Sequence, residues 1–286
     1  MSIVVTGYAS LDYAVRLDSP PQPDRTATIL SRAAEWPRLG GSPAYVATAL
    51  VASGARDAAP ISWVGDDAEG AVYCKRLQAL GVRTDGIAVR PGRTPICVLA
   101  YQPDGRCHCL YDPGLTASAD LDERQRALLG DAEAICVTVG PANATWETLR
   151  QGRPGAALLW AVKADPRSVP PDLAVALAAR ADVVVFSKGE AEFAAEAFAA
   201  AGARARHGLR IETRGREGVA FMQNGLTRIV PADAVEAEDS TGAGDTFVGG
   251  FLAAWRKIAD PELAVKAGAD AARELLLSRA TASTRS

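Results

Sequence analysis

The chain has 286 residues, 48% of them hydrophobic and 23% charged, with a formal net charge of -3. This balance excludes a disordered tail, a collagen-like fibre and a disulfide-stapled miniprotein, and it supplies no basic field for nucleic acid. The length holds core for one large domain or two ordinary ones, and a small-molecule substrate is expected.

Cys74, Cys97, Cys107, Cys109 and Cys136 are spread along the chain without a paired CxxC framework, the pattern of reduced thiols in a cytoplasm. Met1 to Gly7 lacks a basic segment, and Asp12 interrupts any apolar run, so no signal peptide is expected. No run approaches the roughly 18 apolar residues of a membrane span.

In chain order, the β-branched run Ile3 to Thr6 predicts a strand ending on Gly7. Pro20, Pro21 and Pro23 follow, then a second β-like run from Thr26 to Trp36. Gly40-Gly41-Ser42-Pro43 leads into a helix over Ala44 to Ala52, with Ser42 as expected N-cap, Pro43 at the first helical position and Gly54 as stop. Ile61 to Val64 predicts a strand, Ala68 to Leu80 a helix closed by Gly81, and Ala134 to Val139 another strand. Ala156 to Val162 and Val183 to Phe186 are unbroken apolar runs, which fit strands of a parallel sheet covered by helices on both faces. Tyr13 to Trp36 and Thr94 to Tyr111, the latter holding the turn Pro103-Asp104-Gly105, predict a small antiparallel sheet outside this body. Pro261 to Leu277 reads as a closing helix and Arg279 to Ser286 as a frayed end.

The segment carrying chemistry is Asp239-Ser240-Thr241-Gly242-Ala243-Gly244-Asp245-Thr246-Phe247. Small residues let amides converge at the N-terminus of the apolar helix that follows, an arrangement that binds phosphate. Asp245 beside that phosphate suits a general base, although an acidic first turn also serves as an ordinary helix cap. Gly-x4-Gly-Lys-Ser/Thr and Gly-x-Gly-x-x-Gly are both missing, which excludes a Walker-type ATPase and disfavours a nicotinamide oxidoreductase.

Asp239 to Gly250 resembles the C-terminal signature of the ribokinase-like (PfkB) carbohydrate kinases. Gly40-Gly41-Ser42-Pro43-Ala44 with Val46-Ala47, and Gly7 to Asp12 upstream, resemble the N-terminal signature. Thr213-Arg214-Gly215-Arg216-Glu217-Gly218 is similar to the nucleotide segment. The resemblance implies a single α/β domain: a ribokinase-like three-layer sandwich with a mostly parallel sheet and a β-lid at about 13–36 and 94–111. It implies an ATP-dependent kinase acting on a sugar hydroxyl, with Asp245 as base and the amides of Thr241, Gly242, Ala243 and Gly244 as anion hole. Asp12, Gly41, Tyr45 and Ser10 would face the acceptor, and Thr213, Gly215, Gly218, Ser187 and Thr241 the nucleotide. Glu190 would help hold Mg²⁺ through water, and Asp239 with Thr241 would lie in a loop that binds a monovalent cation such as K⁺.

Three positions depart from the family pattern: Tyr45, Ser187 and Ser10 stand where asparagines are usual. Fewer amides near Asp12 disfavour ribose itself. Tyr45, Tyr8 and Trp36 offer an aromatic surface for a nucleoside base, or Tyr45 simply packs. A nucleoside kinase and a non-catalytic sensor on the same fold are the alternatives. Cys107-His108-Cys109 reads as lid structure rather than zinc ligands, His207 as a solvated surface, Asp66-Asp67 as a turn and cap, and Asp165-Pro166-Arg167 as either a cap or a border of the nucleotide site. An apolar outer lid face would favour a homodimer, and no nucleic-acid or membrane partner is expected.

Overall fold

A computed structural model describes residues 2–114, 119–206, 208–233, 235–237, 239–258 and 260–283. Its strands are β1 (Ile3–Thr6), β2 (Ser10–Leu17), β3 (Ile29–Arg32), β4 (Arg38–Gly40), β5 (Ala58–Gly65), β6 (Ile87–Arg90), β7 (Ile96–Tyr101), β8 (Cys107–Asp112), β9 (Ala134–Val137), β10 (Ala157–Ala161), β11 (Val183–Ser187), β12 (Leu209–Thr213), β13 (Val219–Gln223) and β14 (Leu226–Val230). The helices are α1 (Ser42–Ala52), α2 (Ala68–Ala79), α3 (Glu123–Asp131), α4 (Ala142–Gln151), α5 (Pro171–Arg180), α6 (Ala191–Ala201), α7 (Ala243–Ile258) and α8 (Pro261–Ser283).

Among the described residues, nine strands form the main sheet in the order β14-β13-β12-β11-β10-β9-β1-β5-β6. Strands from β12 across to β6 are parallel, and β13 and β14 add an antiparallel edge. Alternation along each strand sends side chains to two cores. Val4, Ile61, Trp63, Ile135, Leu158 and Trp160 pack under α3 to α6. Ile3, Val5, Cys136, Leu159, Val183 and Ile211 pack under α1, α7 and α8. Both faces are buried, which is why these strands read as unbroken apolar runs.

A second sheet, β3-β2-β7-β8 with β4 on β2, stands over the first. The extended segments build it as expected, but it is mixed rather than antiparallel, because β2 runs parallel to β7. Both strands leave the same edge of the parallel sheet, one after β1 and the other after β6, so they rise side by side. The run expected over Thr26 to Trp36 contracts to β3, whose four residues are all exposed. The β7–β8 turn is closed by the Gly105 amide on the Gln102 carbonyl at 2.9 Å.

Two terminus expectations change. The N-cap of α1 is Gly41 rather than Ser42: its φ is 79°, and a Cβ there would lie 2.2 Å from the Tyr8 carbonyl oxygen. Ser42 is thereby freed to turn its hydroxyl elsewhere. The closing helix α8 runs past Leu277 to Ser283, taking in Arg279; no Gly or Pro interrupts it after Gly268. Residues 284–286 and His207 lie outside the described residues. Asp67 caps α2 as expected, accepting from the Gly70 amide at 2.8 Å.

Helix α7 is wedged between α1 and α8 by small residues. A Cβ on Gly249 would lie 2.5 Å from Ala49 Cβ, and one on Gly250 would lie 2.7 Å from Ala271 Cβ. Gly249→Val should therefore push α1 off α7 and destabilise the protein by about 1–3 kcal/mol, lowering its urea midpoint. An unchanged midpoint would mean the two helices separate at no cost.

Candidate active site

The parallel strands deliver their loops to one edge of the sheet, where ligands of such folds bind. There Ser187 is in register with Thr213 across β11 and β12. The turn after β12 is held by the Arg214 amide on the Gly218 carbonyl at 2.8 Å, with Gly215 and Gly218 both at positive φ. Lys188 and Glu217 form an ion pair that joins this turn to the one after β11. Glu190 turns back on Ser187, accepting from its amide at 2.8 Å and its hydroxyl at 2.6 Å. Lys163, just past β10, lies 3.3 Å from the other oxygen of Glu190.

Asp245 opens α7 in the same neighbourhood. The Ser42 hydroxyl and the Lys163 cation near its carboxyl favour the ionised form, and Glu190 and Asp12 add negative charge. Asp245 is half-buried. Burial pushes the Asp245 pKa up to about 6 despite Ser42 and Lys163.

The loop before α7 is tighter than four free amides would allow. The Thr241 amide donates to Asp239 Oδ1 at 2.9 Å, and the Ala243 amide to the Ser240 carbonyl at 3.1 Å. Gly242 and Gly244 are thus the two amides of the expected anion hole with no acceptor among the described residues. Gly242 has φ of 77°, and a Cβ there would meet three Tyr45 ring carbons at 2.6–2.7 Å.

Asp12 lies on the lid, 3% exposed. It accepts from the Ser10 hydroxyl at 2.9 Å, and Arg38 Nε is 3.9 Å from its Oδ2. Burial raises its pKa against the pull of Ser10 and Arg38. Strand register places Arg38, Asp12, Cys97 and Tyr111 in one row across the lid. Cys107 and Cys109 share a face of β8 away from His108, and all five cysteines are free.

Asp239 links the lid to the loop. Arg38 and Tyr101 both hydrogen-bond its carboxylate, and Tyr101 also contacts the Thr241 hydroxyl. Arg279 from α8 stands 3.4 Å from Asp239 Oδ1. Burial alone would raise the Asp239 pKa; Arg38, with Arg279 and Tyr101, brings it down to about 2. Where a monovalent cation was expected, Arg279 donates to the carbonyls of Asp239, at 3.3 Å, and Thr241.

The aromatic residues do not form one surface. Tyr45 lies against Gly242, with its hydroxyl 3.3 Å from Arg279 Nη2, so it packs on the anion loop. Trp36 packs edge-on against Tyr13 at 5.1 Å, on the lid face opposite Asp12. Tyr8 pairs with Tyr111 at 6.4 Å, and its hydroxyl is 3.3 Å from that of Ser168. Asp165 caps its own turn, accepting from the Ser168 hydroxyl at 2.8 Å. A cavity of about 950 Å³ has Arg38, Tyr45, Asp239 and Arg279 in its wall, whereas Asp12 and Asp245 do not line it.

The chain matches the model of the pfkB family carbohydrate kinases over residues 2–286. It belongs to that family. An ATP-dependent ribose-1-phosphate kinase of Halopiger xanaduensis is 28% identical over 92% of this chain and 88% of its own. A cytidine kinase of Thermococcus kodakarensis is 28% identical over 96% of each chain. A putative ribokinase II of E. coli, solved with ATP and Mg²⁺, superposes with a TM-score of 0.78 at 20% identity, covering 94% of this chain and 90% of that one. This PfkB member is thus an ATP-dependent kinase of a hydroxyl group on a sugar or sugar-like molecule. Among the described residues, no helix is long and apolar enough to cross a membrane.

Sequence reasoning missed Ser42, Lys163, Arg38, Tyr101 and Arg279 in this PfkB site. Ser42 had a signal, since a serine beside the Gly-Gly pair need not cap its helix once glycine does. The other four carry none, because long polar side chains are common on surfaces.

The raised pKa of Asp245 means that the folded chain binds the extra proton between pH 3.8 and about 6. That contribution to stability is lost as pH rises through the window, leaving an ionised carboxylate in an enclosed site. Asp245→Asn should therefore melt higher than wild type at pH 8, with the gap shrinking towards pH 5. Equal midpoints at pH 8 would contradict this.

Proposed function

We propose that Asp245 is the general base and that the Gly242 and Gly244 amides receive the transferred phosphoryl group. The single observation carrying this reading is the half-buried Asp245 carboxyl in the first turn of α7, beside those two amides and within electrostatic reach of Asp12. The acceptor hydroxyl gives its proton to Asp245 as its oxygen attacks the γ-phosphorus. The amides and the helix terminus stabilise charge on the transferred oxygens. Asp12, backed by Ser10, accepts hydrogen bonds from further hydroxyls of the acceptor. Arg38 Nε, buried without a hydrogen-bond partner among the described residues, completes that pocket.

The nucleotide lies along Thr213, Gly215 and Gly218, with Ser187 at its border. Among the described residues, no group of three His, Cys, Asp or Glu could hold a metal. Mg²⁺ would therefore be carried mainly by nucleotide phosphates, with Glu190 as an outer partner through water; when bound, it neutralises phosphate charge. Lys163, between Glu190 and Asp245, adds a cation to the same phosphates. The chain acts as one kinase domain with its lid. Its free thiols suit a reducing cytoplasm.

A sugar or sugar phosphate is the favoured acceptor, because Tyr45 is committed to packing on Gly242 and is not offered to a base. A nucleoside is the second reading, favoured by the Tyr8–Tyr111 pair beside the lid row that holds Asp12. ADP release with Mg-ATP across sugars, sugar phosphates and nucleosides decides between them. For the best acceptor, kcat/KM should fall about tenfold per pH unit below about 6, and Asp245→Asn should lose about 10²–10⁴-fold in kcat while still binding ATP. Near-full turnover by that variant would remove Asp245 as base, and ATP binding without turnover on any acceptor would favour a sensor.

Ile29, Leu30 and Leu110 are 50%, 62% and 64% exposed on the two edge strands of the lid. We expect two copies to meet there, giving a dimer in analytical ultracentrifugation that Leu30→Glu converts to monomer.

A further inference from the structure

The carbonyl oxygens of Asp239 and Thr241 and the Asp239 carboxylate converge just before α7. Oxygens grouped in this way hold a cation, and the family resemblance expects K⁺ at this loop. The residues of this chain do not fit that ion, because the position already has a charge in it. Arg279 Nη1 donates to the Thr241 carbonyl, lies 3.3 Å from the Asp239 carbonyl and stands 3.4 Å from Asp239 Oδ1. Nη2 is 3.3 Å from the Tyr45 hydroxyl. The Arg279 side chain is only 17% exposed.

We propose that the guanidinium of Arg279 is the resident cation of the anion-binding loop, so that phosphoryl transfer by this protein needs no monovalent metal ion. Three physical points carry this. Potassium would compete for the same carbonyl lone pairs while facing a fixed positive charge, and guanidinium does not deprotonate in proteins. Asp239 is already flanked by Arg38 and Arg279, so a third cation has no charge left to neutralise. The Thr241 carbonyl and the Gly242 amide also belong to one planar trans peptide, in which C=O and N–H point opposite ways. By holding the carbonyl, Arg279 turns the Gly242 N–H outward, away from α8, to where an anion is received. Arg279 is thus a positioning residue for the anion hole, built into α8 by the extra helical turn that sequence reading took for a frayed end.

Only the kinetic half of the test rests on the kinase reading. ADP release and thermal midpoint are measured in KCl, NaCl and choline chloride at equal ionic strength. Wild type should give the same rate and the same midpoint in all three. Arg279→Lys, which keeps the charge, should remain indifferent to K⁺. Arg279→Met opens the oxygen cage, and its turnover should drop by about 10²-fold in choline, then recover in KCl together with a K⁺-specific rise in midpoint. A wild-type rate raised about tenfold by K⁺ over choline, or a wild-type midpoint raised by K⁺ alone, overturns the proposal. So does full K⁺-independent turnover by Arg279→Met. If wild type releases no ADP with any acceptor, the kinase reading fails by itself, and the wild-type midpoints still decide whether K⁺ binds. If Arg279→Met does not fold, wild type and Arg279→Lys carry the decision.

Discussion

The carboxylate of Asp239 holds the separate parts of this molecule in one arrangement. Arg38 reaches it from β4 and Tyr101 from β7, both on the lid; Arg279 reaches it from α8, and the Thr241 amide from the loop itself. A carboxylate with a side chain only 21% exposed is costly unless paired and hydrogen-bonded. Here every contact that stabilises it also fixes a different element. The lid, the last helix and the anion loop are therefore coupled, and displacing one strips hydrogen bonds from a buried charge. This coupling makes Asp239 more than a loop residue, although it touches neither reacting group.

That hub needs the helices close enough for Arg279 to arrive, and α7 sets their spacing. Gly249 and Gly250 let α1 and α8 approach on opposite sides of α7. The approach of α1 brings Ser42 to Asp245 and Tyr45 onto Gly242; the approach of α8 brings Arg279 beneath Thr241. A side chain at either glycine would leave Ser42, Tyr45 and Arg279 present and misdirected. Loss of an ångström in such sites costs rate out of proportion to stability. The lid shows the same economy: Arg38, Asp12, Cys97 and Tyr111 form a single row across its strands, while Trp36 and Tyr13 pack the opposite face.

Much of this was legible in the sequence wherever the physics is local. Gly242, Gly244 and Asp245 announce a tight turn into a helix with a carboxylate beside it, and no distant residue is needed to see that. The apolar runs at β1, β10 and β11 announce a sheet covered on both sides. What stayed hidden depends on long-range partners. Arg38 meets Asp239 across 201 residues and Tyr101 meets it across 138. Each is an ordinary polar residue until the fold joins them. The parallel pairing of β2 with β7 was hidden for the same reason: two extended segments with turn signals look antiparallel when the sheet edge they share is not in view. The sequence leaves Tyr45 open, because an aromatic ring at a helix start packs or binds with equal ease. Only the closeness of Gly242 distinguishes the two.

The three carboxylates around the cleft show how one site can assign three roles to one side-chain type. Asp239 has two arginines and a phenol, and its pKa falls to about 2. It remains ionised at any physiological pH, which suits an anchor and disqualifies it as a proton acceptor. Asp245 has one hydroxyl and a more distant ammonium against desolvation by burial, and its pKa rises to about 6. A group ionised at neutral pH yet this basic suits the general-base role proposed for Asp245. Asp12 is raised by burial but keeps Ser10 and Arg38 close, which suits the hydroxyl-orienting role proposed for it. Environments that push like groups apart are what allow acid–base work to be allotted to one of them. Arg279 belongs to that allotment: a permanent cation set at Asp239 and Thr241 spends its charge on the anchor and the loop, and the nearer ammonium of Lys163 is left to bias the base.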